Sequence, residues 1–358
     1  MDPPLWTETH APTLDELPQS EVRERLRRAV DEPMNLVVQG PPGAGKTAAV
    51  RAMAREAHDD DADLFELNVA DFFERSKAEI REDPRFEHFL QGQTEFSKRY
   101  RRGGDRRNKY KRDWSKRDMI AHVLKEHAGH APSTGTYKTL VLDSAEAVRE
   151  DFQQALRRVM ERNHRTTQFV IATRQPSKLI PPIRSRCFPV PVRAPATDEL
   201  VEVLRRIVER EGVPYEDDGL EYVAGYADGD VRRAVLGAQT AAVEAGEVTM
   251  SAAYDALASV GHDERLRGAL ADARDGAFDD ARDAVDDLLE EGYDGGTLLR
   301  DLLRIARSED RYDDRAVARL HHLAGAVDHD LVTGSNDRLH VARLLAEWGT
   351  AADAAGAD

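Results

Sequence analysis

The sequence predicts an α/β protein: a mostly parallel sheet carrying a phosphate loop, then a small helical domain, then an all-α domain. Three observations carry this. A short apolar run, Leu36-Val37-Val38, leads into "GPPGAGKT" and then a helical stretch from Ala48 to Ala57. A second apolar run, Leu140-Val141-Leu142, ends in Asp143. From Gly261 to Trp348, Leu, Ala and Val recur at helical spacing, as in "GTLLRDLLRIA". Strands alternating with helices after such a loop form parallel sheets, with the ligand at the carboxyl ends of the strands.

The loop is the strongest signal. Gly40, Pro41, Pro42, Gly43, Ala44, Gly45, Lys46 and Thr47 fit G-x-x-x-x-G-K-[ST] in full, and the strand–loop–helix context is the required one. Backbone N–H groups freed by the glycines can wrap a phosphate, and the helix start favours its charge. Lys46 should reach the β- and γ-phosphates of ATP, and Thr47 should place its hydroxyl on Mg²⁺. Asp143, at the end of its strand, should hold the same Mg²⁺ through water.

Bulk properties narrow the class. The 358 residues suffice for two or three domains. The formal net charge is −16, from 51 Lys and Arg against 67 Asp and Glu. Such acidity fits a salt-rich cytoplasm, where acidic surfaces keep proteins hydrated; a merely acidic protein is the blander alternative. A single cysteine, Cys187, excludes an internal disulfide and a cysteine zinc site, and fits a reducing compartment. The opening "MDPPLWTETHAPTLDEL" lacks the basic start and apolar core of a signal peptide. No apolar stretch approaches the roughly 18–20 residues needed to cross a bilayer. The expectation is a cytoplasmic protein with no membrane contact.

Three domains are expected: 1–190 for nucleotide, 191–257 as a helical lid, and 258–358 as a helical collar. "PVPVRAPATDEL" is a Pro-rich crossing, with Thr197 as the expected N-cap of a helix running to about Glu211. The histidines show no metal-ligand spacing, so Mg²⁺ with the nucleotide is the one metal expected.

Several segments together resemble the small subunits of replication factor C, an AAA+ clamp loader. They are "LWTETHAPTLDEL", "LFELNVAD", "DFQQALRRVMER", "SKLIPPIRSRC", "GDVRRAVLGAQ" and "GSNDRLHVARLLAEWG". The resemblance implies an AAA+ sheet domain, a lid and a collar that packs on neighbouring subunits. It implies partners as well: other subunits in a hetero-oligomer, a pentamer in this family, together with a sliding clamp and primer–template DNA. Arg186, in the Ser-Arg-Cys box, matches an arginine finger offered to a neighbour's site. A permanently charged, two-pronged cation suits a departing γ-phosphate. Arg232 matches the arginine that ties the lid to bound nucleotide. A surface salt bridge and a structural ion pair are the plain alternatives for these two.

Two departures stand out. The family writes Asp-Glu-Ala-Asp where this chain has Asp143-Ser144-Ala145-Glu146. It also places a water-orienting asparagine where "FVIATRQPSKL" offers Thr173 or Arg174. Serine cannot accept a proton as carboxylate does, and positioned acid–base groups contribute about 10²–10⁴ in rate. Glu146 is a candidate substitute base. The expectation is a site that binds ATP but hydrolyses it slowly or not at all. Alternatives are a fully active AAA+ ATPase subunit, a stand-alone repair motor or helicase, and an adaptor that has lost ATP.

Residues 72–118 do not follow the family. Lys98 to Asp118 holds eleven cations against three aspartates, a net +8 that leaves −24 for the remainder. Lys98, Arg99, Arg101, Arg102, Arg106, Arg107, Lys109, Lys111 and Arg112, interleaved with aromatics, suit DNA phosphate contact with some stacking. In the resembling family the neighbouring helices line the DNA channel. A solvated loop and a dock for an acidic partner are the alternatives.

Overall fold

The computed structural model describes residues 4–91, 115–147, 149–260, 262–309, 311–334 and 336–355. The chain divides into two compact units, Met1–Ala253 and Tyr254–Asp358. Among the described residues, no helix is long and apolar enough to cross a membrane.

Among the described residues of the first unit five strands form one sheet: β1 Leu36–Gln39, β2 Leu64–Asn68, β3 Lys138–Asp143, β4 Thr167–Thr173 and β5 Phe188–Pro191. Their order is β2-β3-β4-β1-β5, and every pairing is parallel. The apolar runs seen in the sequence are the central strands, which must be apolar because both faces are covered. Alternation along β1 shows it. Leu36 and Val38 pack with Leu26 of helix α2 (Ser20–Asp31), which follows the short α1 (Trp6–Thr9), and with Val50 and Met53 of the helix that follows the loop. Val37 joins the opposite layer with Phe169, Ile171, Phe152 and Met119.

β5 closes one edge. Phe188 and Val192 donate N–H groups to Asn35 and Gln39. The alternating residues between them, Pro189 and Pro191, have no N–H, and proline at an outer edge discourages pairing with other chains. Register then sets the site. Gln39 pairs with Thr173 and Asn68 with Asp143, so the carboxyl ends of β1, β4 and β3 stand side by side.

Helix starts differ from the sequence reading in two places. The helix after the loop, α3 (Lys46–Ala57), begins two residues before Ala48, because Gly45 at φ 89° takes the capping position. Thr197 lies inside its helix, Thr197–Glu211; the N-cap is Ala196, whose N–H donates to the Glu199 carboxylate at 2.8 Å. That helix and two more, Asp217–Ala227 and Val231–Ala245, pack together within the first unit. The opening box is clipped onto the last of them: the Trp6 N–H donates to Gln239 Oε1 at 2.9 Å, and Gln239 Nε2 donates to the Pro4 carbonyl at 2.9 Å.

Around the basic segment, Val69–Glu74, Lys77–Glu82, Pro84–Gln91 and Lys116–Gly129 are helical. The nine cations from Lys98 to Arg112 named for DNA contact lie outside the described residues. Lys116, at the far end of the cluster, donates to the Phe73 carbonyl at 2.6 Å.

The second unit is helical: Asp263–Arg274, Phe278–Glu290, Gly295–Ser308, Asp314–Thr333 and Asp337–Ala355. Each helix presents a stripe at helical spacing, such as Leu266/Leu270/Ala273, Leu298/Leu302/Ile305 and Val341/Leu345/Trp348, to one core. Trp348 is 2% exposed, and its indole N–H donates to the Leu270 carbonyl at 3.1 Å.

Candidate nucleotide site

The loop at the end of β1 owes its shape to close approaches. A Cβ on Gly40 would lie 2.0 Å from the Val192 carbonyl oxygen. Gly43 has φ 71°, and a Cβ there would lie 2.2 Å from an Asp230 carboxylate oxygen. The start of the helix Val231–Ala245 thus rests on the loop: the Val231 N–H donates to the Gly43 carbonyl at 3.0 Å, while Asp230 caps that helix by accepting from the Arg233 N–H at 3.0 Å. Pro41 and Pro42 are exposed, Ala44 is buried, and Gly45 leads into the amino end of α3, whose first N–H groups have no partner within the helix.

Lys46 Nζ donates to the Pro41 carbonyl at 2.6 Å. Burial disfavours its charge; Asp143 and Glu146 favour it and Arg174 opposes it, leaving the pKa below the usual lysine value. A partly buried ammonium resting on a neutral carbonyl gains by acquiring an anion. Thr47 Oγ1 donates to Asp143 Oδ2 at 2.9 Å. These two oxygens, on neighbouring elements, suit a hard cation such as Mg²⁺. The donor set therefore fits a magnesium-bound polyphosphate.

The side that would handle water is built differently. Ser144 has φ 54°, uncommon for a residue with a Cβ, and its N–H donates to Asp143 Oδ1 at 2.7 Å. Glu146 accepts from Thr173 Oγ1 at 2.8 Å, from the Arg174 N–H at 3.2 Å and from Arg174 Nε at 2.7 Å. Burial raises its pKa, but these bonds from Arg174 and Thr173 prevail, so it lies below the usual carboxylate value. A carboxylate with three donors and a depressed pKa is a weak proton acceptor.

Arg186 is exposed, donating to Glu161 Oε1 at 2.7 Å and to the Pro182 carbonyl at 2.6 Å. Beside it, burial pushes the Cys187 thiol up to about 12, which makes it unreactive. Arg232 is exposed and has no hydrogen-bond or ion-pair partner among the described residues, although Asp230 and Val231 next to it touch the loop. The structure gathers Lys46, Thr47, Asp143 and Glu146 around the loop and leaves Arg186 at the exposed end of a short helical turn, Pro181–Arg184.

Two participants escaped the sequence reading. Gln19 is buried and donates through Nε2 to the Ala44 carbonyl at 3.1 Å and the Arg193 carbonyl at 2.9 Å, joining the loop to the segment before the helix Thr197–Glu211. A lone glutamine carries no motif that would announce this. Asp230 could have been suspected from its place beside Arg232 in the Gly-Asp box.

The geometry agrees with known proteins. Residues 36–109 match the family described as ATPase family associated with various cellular activities, and such a P-loop fold implies nucleotide binding. Residues 77–196 match DNA polymerase III, delta subunit, and residues 261–347 match the replication factor C C-terminal domain. The replication factor C small subunit of Haloarcula marismortui is 32% identical over 349 residues, 96% of this chain and 94% of that protein. The chain belongs to the replication factor C small-subunit family. Its counterpart in Archaeoglobus fulgidus is 31% identical over 97% of this chain and 98% of that protein, and that of Halobacterium salinarum is 30% identical over 96% and 95%. Among solved structures, the RuvB Holliday junction branch migration motor of Thermotoga maritima aligns with TM-score 0.51 over 73% of this chain and 77% of that one; at 18% identity this shows the shared fold alone.

Proposed function

We propose that this family member acts in DNA replication as a clamp-loader small subunit that holds Mg²⁺ and ATP, hydrolyses ATP slowly or not at all, and lends Arg186 to a neighbouring subunit. The observation that carries the reading is an asymmetry within one site. The phosphate side is complete, with Lys46 in need of an anion and Thr47 beside Asp143. On the water side, serine stands at 144, and Glu146 is bound by Thr173 and Arg174. Acting as a base, Glu146 would have to give up an ion pair first, which disfavours the fully active alternative.

Arg186 suits a role in trans because little holds it. An exposed ion pair such as Arg186–Glu161 is worth about 0–1 kcal/mol, so a γ-phosphate in an adjoining site could displace Glu161. Arg232, beside the lid–loop contact, is proposed to report bound nucleotide to the lid. The expected assembly is a hetero-oligomeric ring with three-domain subunits (1–190, 191–257, 258–358), working on primer–template DNA and a sliding clamp. The basic segment 98–112 supplies a DNA contact in this reading. Acidic composition and haloarchaeal relatives support a salt-rich cytoplasm as its setting.

The test pairs binding with turnover. Purified chain should bind Mg²⁺–ATP by calorimetry and hydrolyse it at least a hundredfold more slowly than a subunit with the complete Asp-Glu pair, on the order of the loss of one acid–base group. Turnover at ordinary clamp-loader rates would overturn the slow-hydrolysis reading. Arg186→Ala should leave ATP binding by this chain unchanged and lower turnover by the assembled complex.

A further inference from the structure

We propose that Gln19 is a positioning residue for phosphate binding: its side-chain amide fixes the Ala44–Gly45 peptide so that the Gly45 N–H faces a bound phosphate. The inference rests on the ATP-holding reading above.

The loop needs such a fixture. A peptide turns over when ψ of the residue before it and φ of the residue after it change together. The residue after this peptide is Gly45, at φ 89°, and glycine takes positive and negative φ about equally readily. Nothing lies within 4 Å of where its Cβ would sit, so its surroundings do not hold it either. The covalent chain therefore leaves the Ala44–Gly45 peptide free to face either way. A trans peptide carries its C=O and N–H on opposite sides. Turning it over would replace a donor by a carbonyl oxygen in front of the phosphate, and two partial negative charges would repel.

Gln19 removes the choice. It is 2% exposed, and its Nε2 donates to the Ala44 carbonyl at 3.1 Å. With that carbonyl held on the buried side, the Gly45 N–H points away from Gln19. This N–H makes no hydrogen bond among the described residues, and Gly45 is partly exposed where Ala44 is buried. The anchor is itself fixed. The Gln19 carbonyl accepts from the Val22 and Arg23 N–H groups, each at 3.2 Å, as α2 begins. Its Nε2 also donates to the Arg193 carbonyl at 2.9 Å, so both amide hydrogens are engaged. The preceding carbonyl of the loop, that of Gly43, is held separately by the Val231 N–H.

The test titrates the full chain with ADP and with ATP, each with Mg²⁺, by calorimetry, and measures denaturant midpoints in parallel. Gln19→Met, similar in size but without the amide, should weaken both nucleotides alike, roughly tenfold, as expected for one misdirected donor. Met160→Ala is the control for stability, since Met160 is buried in the layer across the sheet. It should lower the midpoint and leave both affinities within about twofold. If Gln19→Met lowers the midpoint and leaves both affinities within about twofold, the amide serves the fold alone and the proposal is wrong. A loss confined to one nucleotide would overturn it as well. Should Gln19→Met fail to fold, the unaltered chain with isotope-labelled glutamine decides by NMR. The Gln19 side-chain signal should move and its hydrogens exchange more slowly when ADP and Mg²⁺ are added, and an indifferent signal would sink the idea. If the unaltered chain binds neither nucleotide, the ATP-holding reading falls and takes this one with it; if it binds both and Gln19→Met does so equally well, only the role of Gln19 is lost.

Discussion

Replacing Lys46 by alanine removes the ammonium that now rests on the Pro41 carbonyl. ATP binding should fall at least tenfold to a hundredfold, the worth of a hydrogen bond to a charged group, with the circular dichroism unchanged. The two positive-φ glycines of the loop offer a finer comparison. Alanine at either must adopt the left-handed region, at about 1–2 kcal/mol. At Gly45 nothing lies within 4 Å of the added Cβ, whereas at Gly43 it meets the Asp230 carboxylate. Gly43→Ala should therefore lower the denaturant midpoint more than Gly45→Ala, and the difference measures the contact of Asp230 with the loop. Equal midpoints would mean that Asp230 swings aside at no cost.

Among the elements, the helix Lys116–Gly129 carries a titratable weak point. His127 stacks near Phe65, with ring centroids 4.4 Å apart, and burial followed by the Lys138 charge lowers its pKa to about 4. In the unfolded chain an ordinary histidine gains its proton near 6.5. Between those values the unfolded chain binds the proton and the fold does not, so stability falls as pH drops from about 6.5 to 4. The loss should be on the order of 2 kcal/mol, and His127→Gln should flatten this part of the curve. Unfolding midpoints measured across that window, with and without the substitution, decide it. The strands impose a different constraint. β5 tolerates two prolines because its outer edge pairs with no strand among the described residues, a position that its sequence "FPVP" already suggests.

At the scale of the whole molecule, the second unit has a core of its own, closed around Trp348. Trp348→Ala removes a fully buried indole and leaves the Leu270 carbonyl without its donor. It should cost about 3–5 kcal/mol, seen by calorimetry as an earlier transition for that unit, with ATP binding retained. A single unshifted transition would contradict this. The sequence by itself determined the class of fold, the loop and Asp143. Periodicity and a fixed-spacing motif are local properties, and burial on both faces demands the apolar runs that mark central strands. It also exposed the departures at Ser144 and Arg174, because they sit inside segments that otherwise resemble a family. Tertiary structure alone decided what those departures touch. Glu146 and Arg174 are far apart in sequence, and their pairing depends on β3 and β4 lying in register. The same holds for Gln19 on Ala44, Asp230 on Gly43 and Trp6 on Gln239. Each is a contact between distant segments that only the folded first unit, with its helices packed around the sheet, can bring within reach.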